Sequence, residues 1–252
     1  MDDVYTEKHQ VVYYEVDVSG KLSIPMILNL AILGSTNQSA ALGMGNERIH
    51  ANNVGWVVLQ YDMQIDRRPK VDEVINIKTQ AVEYNPFFAV RKFWLEGLDG
   101  EPLVTINSIF AMIDMQARKM IRIPQVMMDT YQAKRVKHIT RIPDPQDITT
   151  TTTEPQGTNY HVRFFDIDHN HHVNNAHYFA WMQDPLGADF LKKYETKRVN
   201  IKYENEIRYG SEVVSYYKIL PSVGGEVITL HQIKVDGQVM TEAEMYWQEN
   251  QA

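Results

Sequence analysis

The hydrophobic pattern of the chain changes period several times, and each change marks an element. Val11 to Val18 is β-branched and aromatic and predicts a short strand. Ser19-Gly20-Lys21 turns, and Ser23 is placed to cap a helix with Pro25 in its first turn, where a missing N–H costs nothing. That helix runs from Ile24 to about Leu42 and is apolar on nearly all sides. Such a helix, too short for a bilayer, belongs in a core wrapped by other structure. Val54 to Ile65 then alternates, with Val57, Leu59, Tyr61, Met63 and Ile65 on one face and Gln60, Asp62 and Gln64 on the other. Further strands are predicted over Glu73 to Val82, Phe88 to Leu95, Val104 to Ile113 and Lys119 to Ile123, separated by turn signals such as Asp99-Gly100. One central helix followed by hairpin-linked strands is an α+β pattern, because such links leave no room for crossover helices.

Residues 134 to 160 interrupt this order, since Pro143, Pro145, Pro155 and the run Thr149 to Thr153 have linker composition. Behind them the order repeats: a strand from Tyr160, a polar turn, a helix from about Asn175 to Lys193, and strands near Arg198 to Arg208, Glu212 to Leu220, Val227 to Val235 and Val239 to Trp247. Val16-Asp17-Val18-Ser19-Gly20-Lys21-Leu22 aligns with Ile167-Asp168-His169-Asn170-His171-His172-Val173, which reads as a tandem duplication. The expected division is a first domain over residues 1–135, a linker over 136–158 and a second domain over 159–252. The first copy keeps Asp17 but has Ser19 and Lys21 where the second has Asn170 and His172, so the chemistry is expected in the second copy.

Composition narrows the function. Among 252 residues, 44% are hydrophobic and 23% charged, the balance of an ordinary soluble globular protein. No apolar run approaches a membrane span, and the start lacks the regions of a signal peptide, so a cytoplasmic setting is expected. A net charge of −7 argues against nucleic-acid binding. Cysteine is absent, which excludes disulfides, thiolate metal sites and a cysteine nucleophile.

The candidate chemistry lies between Arg163 and Met182. Asp166 to Asn175 holds two Asp, three His and three Asn. Asn174 or Asn175 can cap the helix that follows, and Tyr178, Trp181 and Met182 recur at helical spacing. First-turn amides and the positive dipole end would then face Asp168, Asn170 and His172, as an oxyanion site requires. In an extended segment these three residues, at i, i+2 and i+4, share one side. A plain capping turn is the bland alternative. A metal site suits the spacing poorly, because no Glu or His recurs nearby at helical ligand spacing, and neither metal nor cofactor is expected. Hydrolysis by activated water suits it better, with a carboxylate to take a proton and a histidine to serve the oxyanion or leaving group. No serine sits in a nucleophile-elbow setting.

The run Asp168-x-Asn170-x-His172-Val173-Asn174-Asn175, followed by Tyr178 and Trp181, closely resembles the signature of the acyl-acyl carrier protein thioesterases, the fatty-acid chain terminators of plant plastids and their bacterial relatives. Trp56-Val57-Val58, Ile65-Asp66-Arg67-Arg68-Pro69, Asp72-Glu73-Val74 and Arg122-Ile123-Pro124 are similar to that family's opening domain. The resemblance implies a tandem (double) hotdog, each half a long central helix wrapped by an antiparallel β-sheet. It implies hydrolysis of a long- or medium-chain fatty acyl-acyl carrier protein thioester. The implied catalytic residues are Asp168, Asn170, His172 and Glu206, with backbone amides near Asn174 and Asn175 for the oxyanion. Where plant members often carry a cysteine after that glutamate, this chain has Ile207. Strict alternation puts Glu206 on the face of Lys202 and Glu204, opposite Val199, Ile201 and Tyr203, so a bulge is needed to bring it into play. The acyl chain is expected in an apolar slot of the first domain, between the first helix, with Leu30, and the face of Val57, Leu59 and Met63. An acidic carrier protein calls for a basic docking patch, with Arg67, Arg68, Lys193 and Arg198 as candidates. A homodimer of the tandem chain stays open. Rival functions are an acyl-coenzyme A thioesterase and a non-catalytic acyl-binding hotdog.

Overall fold

The computed structural model describes residues 4–45, 53–150, 154–168, 172–222 and 224–250. It divides into two compact units, Met1–Pro143 and Asp144–Ala252, so the expected linker is shared between them. The first unit extends beyond residue 135 because Val136 N donates to Tyr84 O at 2.9 Å and Gln60 Nε2 to Pro143 O at 2.8 Å. In the second unit, Gln146 N donates to Glu244 Oε2 at 3.1 Å and Lys218 Nζ to Ile148 O at 2.7 Å, which ties residues 146–148 to the sheet.

In the first unit, β1 (Tyr5–Gln10) and α1 (Ile24–Ala41) are followed by β2 (Val54–Ile65), β3 (Val74–Tyr84), β4 (Phe88–Gly97), β5 (Pro102–Asp114), β6 (Lys119–Ile121), α2 (Gln125–Thr130) and β7 (Lys134–Arg135). The sheet order is β1-β3-β4-β5-β2, antiparallel, with β6 on β5 and β7 parallel to β3. Helix α1 buries Ile24, Ile27, Leu28, Leu30 and Ala31 against this sheet. It approaches β3 so closely at Gly34 that an added Cβ would sit 2.8 Å from Ile77 Cγ2. The strand expected over Val11 to Val18 lies upstream instead, because Glu15 Oε2 accepts from Val12 N at 2.9 Å and bends the chain into a turn.

The alternation read for β2 also breaks. The register slips between Val58 and Gln60, leaving Leu59 as an extra residue. Tyr61, Met63 and Ile65 pair with Ser108, Ile106 and Val104, whereas Val57 pairs with Ala111. Side chains of paired residues share a face and alternate along β5, so Val57 and Met63 lie on opposite faces. Of the four slot candidates, Leu30 and Met63 remain on the buried, helix-facing side; Val57 does not, and Leu59 is the bulge.

The second unit repeats the plan with β8 (Gln156–His161), α3 (Asn175–Gln183), α4 (Ala188–Lys193), β9 (Tyr194–Tyr203), β10 (Glu212–Ile219), β11 (Glu226–Val235) and β12 (Gln238–Glu249). Its order, β9-β12-β11-β10-β8, mirrors the first. The helix expected to run unbroken to Lys193 is interrupted by a 3-10 turn at Asp184–Leu186, where Pro185 lacks an N–H and Gly187 takes φ 83°.

The backbone records the duplication bond by bond. Asp17 N donates to Lys21 O at 3.0 Å, and Asp168 N to His172 O at 3.0 Å. Ser23 N reaches Glu15 O at 3.0 Å where Asn174 N reaches Asp166 O at 2.9 Å. The interiors differ. One row across the first sheet is Ile77, Leu95, Val104 and Ile65, and the matching row in the second is Ser215, Ile233, Thr241 and Tyr203. In the next row Phe93 is matched by His231, whose Nε2 lies 2.7 Å from Thr229 Oγ1. Thr229 Oγ1 also accepts from Trp247 Nε1 at 2.8 Å.

Candidate active site

The segment before α3 is a closed turn. Ile167 and Val173 form an isolated antiparallel bridge, and the Asp168 amide bond to His172 O closes the loop. Asp168 and His172 therefore meet because the chain returns on itself, not because they share a face of an extended segment. Asp168 Oδ1 lies 3.7 Å from His172 Nδ1, a charge contact longer than a hydrogen bond. Both side chains are partly exposed. Asn170, with its neighbours His169 and His171, falls outside the described residues.

A buried carboxylate absent from the candidate set anchors this turn. Asp166 is 1% exposed and accepts from Arg163 N and Arg163 Nη2, each at 2.8 Å. Burial opposes its ionisation, yet bonds from the Arg163 side chain and amide, with His177 nearby, hold the carboxyl below its usual range. The available signal was Glu15, a carboxylate at the matching place in the first copy.

Helix α3 starts directly after this turn. Asn174 is the N-cap, its side chain accepting from Ala176 N at 2.9 Å, while its carbonyl accepts from His177 N at 2.9 Å. Its own amide is spent on Asp166 O, which removes it as an oxyanion donor. The Asn175 amide has no protein acceptor among the described residues and sits at the positive end of the helix. Tyr178 is buried behind it, edge-on to Tyr203 at 5.2 Å between centroids. Burial pushes the Tyr178 hydroxyl up; the Ile207 backbone opposes this and the Asp168 charge adds to it.

Glu206 is brought to the turn by a change of direction. Strand β9 ends at Tyr203, and the amides of Glu204 and Asn205 both donate to Met240 O, at 2.9 and 3.1 Å. Met240 is itself the extra residue of a bulge in β12, since Ile233 pairs with Thr241 but Lys234 with Val239. The alternation that set Glu206 apart thus ends before reaching it. Ile207 O then accepts from Val173 N at 3.0 Å, aligning residues 206–207 with His172 and Val173.

The matching turn of the first unit is closed by charge. Arg68 Nη1 bonds and ion-pairs with Asp17 Oδ2, and Ser19 Oγ donates to Asp17 Oδ1 at 2.5 Å. Burial opposes ionisation of Asp17, but Ser19 and Arg68 hold its carboxyl below the usual range. Two docking candidates are ion-paired, Arg68 with Asp17, and Arg67 with Glu73 at 2.8 Å and Glu101 at 2.7 Å. Lys193 lies 3.7 Å from Glu249, and Arg198 stacks 5.3 Å over the Tyr246 ring. Among the described residues, no group of three or more acidic or histidine side chains converges as metal ligands.

A family model described as the acyl-ACP thioesterase N-terminal domain matches residues 2–131, and one described as the acyl-ACP thioesterase C-terminal domain matches residues 149–249. The chain is 24% identical to the chloroplastic acyl-[acyl-carrier-protein] hydrolase FATB3 of Cuphea viscosissima, over 84% of this chain and 54% of that protein. It is 23% identical to the chloroplastic palmitoyl-acyl carrier protein thioesterase of Arabidopsis thaliana, over 81% and 52%. It thus spans about half the length of the curated relatives it matches. A crystal structure of a candidate oleoyl thioesterase from Lactobacillus plantarum is 41% identical, with a TM-score of 0.96 and coverage of 100% of this chain and 98% of that one. The 12:0-ACP thioesterase from Umbellularia californica, at 18% identity, shares the fold with a TM-score of 0.82 over 98% and 94%. With two hotdog units in tandem and a family model on each, the chain belongs to the acyl-ACP thioesterase family.

Proposed function

We propose that this chain hydrolyses the thioester of a fatty acyl-acyl carrier protein and releases the free fatty acid. The observation that carries this reading is the closed turn that sets Asp168 against His172 beside the Asn175 amide, which has no protein acceptor among the described residues. Glu206 takes a proton from water as the water oxygen attacks the thioester carbonyl carbon. The Asn175 N–H holds the oxyanion that forms. His172, as imidazolium, gives its proton to the sulfur as the C–S bond breaks. Asp168, with Oδ1 3.7 Å from His172 Nδ1, faces that ring, and Asn170 orients the attacking water. Return of the proton from Glu206 to His172 through solvent completes the cycle.

Thiol release from matched acyl-carrier and acyl-coenzyme A thioesters tests the reading, and a cysteine-free protein adds no background. His172→Ala and Glu206→Gln should each lower kcat by about 10²–10⁴-fold. Turnover undiminished in both, or found only with coenzyme A thioesters, would refute it. Acyl ligand held without turnover would indicate a binding protein.

A further inference from the structure

The segment entering the catalytic turn exposes two large rings. Phe164 is 72% and Phe165 85% exposed, packed edge to face with centroids 5.5 Å apart. A second segment lies beside them: Gly210 N donates to Val162 O at 3.2 Å and Val162 N to Ser211 O at 3.0 Å. It brings Tyr209, 65% exposed, and the exposed Arg208, which has no carboxylate partner among the described residues. Arg163 bonds Asp166 yet remains largely exposed. These two segments also carry the catalytic candidates, since Asp168 follows Phe165 and Glu206 precedes Arg208. The patch is therefore the rim of the site.

Exposed aromatics framed by arginine are the composition of a binding hot spot, and bare rings in water are otherwise a liability. We propose that Arg163, Phe164, Phe165, Arg208 and Tyr209 form the surface on which the acidic carrier protein docks. This rests on the thioesterase reading above. The rings supply apolar contact, and Arg163 and Arg208 supply the sign of charge that an acidic partner requires. Docking at the rim leaves the thioester, at the end of the carrier's flexible arm, next to the turn. The matching rings of the first unit, Tyr13 and Tyr14, pair in the same way at 5.3 Å, but beside the turn closed by Arg68 and Asp17. They serve as the control.

The test is steady-state kinetics on one acyl chain presented both as carrier thioester and as simple pantetheine thioester. Phe164→Ala with Phe165→Ala should raise KM for the carrier substrate about tenfold or more, with kcat and the pantetheine reaction unchanged. Arg208→Glu should raise the same KM and flatten its dependence on ionic strength. Tyr13→Ala with Tyr14→Ala should move neither constant. All these side chains are exposed, so thermal melting checks that each variant is folded. Unchanged carrier KM, equal loss on both substrates, or an equal effect in the tyrosine variant would overturn the assignment. Wild-type turnover of the pantetheine substrate keeps that outcome distinct from failure of the thioesterase reading, in which neither substrate is hydrolysed.

Discussion

His231 gives a prediction that can be worked from the structure to a number. Its ring is 1% exposed, and burial alone lowers its pKa from 6.5 to about 3. In the unfolded chain the same imidazole takes a proton near pH 6.5. The folded state therefore loses stability as pH falls from 6.5 towards 3, because only the unfolded state binds the proton. At pH 5.0 this amounts to about 2 kcal/mol relative to pH 7.5, roughly a thirtyfold rise in the unfolded fraction. The informative substitution is His231→Phe, since Phe93 fills the matching place in the first unit with no exposure. Thr229 keeps its bond from Trp247, so the variant should lie within about 1 kcal/mol of wild type at pH 7.5. Urea unfolding of both proteins between pH 7.5 and 5.0 should show the wild type falling about 2 kcal/mol further. Parallel pH profiles would refute the reasoning, because the folded histidine would then be taking up its proton as readily as the unfolded one.

Other expectations follow from single contacts. Asp166→Asn should cost about 1–3 kcal/mol at neutral pH by removing a charged acceptor from buried donors. The deficit should shrink below about pH 4 in acid titrations of stability, because the wild-type carboxyl, held low, protonates only there. Arg68→Ala should lower the melting temperature, at about 1–2 kcal/mol, while the proposed thioester turnover persists, since the turn it closes is not the one proposed to react. Gly34→Ala should cost about 1–3 kcal/mol in denaturant titration, because the new methyl would meet Ile77 at 2.8 Å. A Gly34→Ala protein as stable as wild type would show that α1 shifts off β3 freely.

The elements were legible where the period of the pattern was long and unambiguous. Strand β2 falls on Val54 to Ile65 as the alternation predicts, and α1 begins at Ile24, directly after Ser23, although the Ser23 side chain makes no capping bond. The bulge at Leu59 was not legible, because a leucine fits either face and an inserted residue leaves the composition unchanged. Val11 to Val18 misled for a related reason: its β-branched and aromatic residues serve a turn whose cause, the Glu15 carboxylate, bonds locally. At the site, the motif named Asp168 and His172 but not the closed loop that joins them. Nor could it show that Asn174 N is spent on Asp166, which leaves Asn175 as the proposed donor. Hydrogen-bond bookkeeping at a helix start depends on where a distant backbone passes.

The break at Pro185 leaves α3 with only nine residues. A helix that short does not hold itself together in water, so its order is borrowed from the burial of Tyr178, Phe179, Trp181 and Met182. The Asn175 amide belongs to its first turn. The precision of that proposed donor is therefore set by how rarely α3 frays, a quantity read by amide hydrogen exchange. Beyond the break, Phe190 of α4 clasps the Trp247 ring edge-on at 5.2 Å. Loosening that clasp should speed exchange along α3 and, on the proposed mechanism, slow turnover. A thermally adapted relative would be expected to tighten there first.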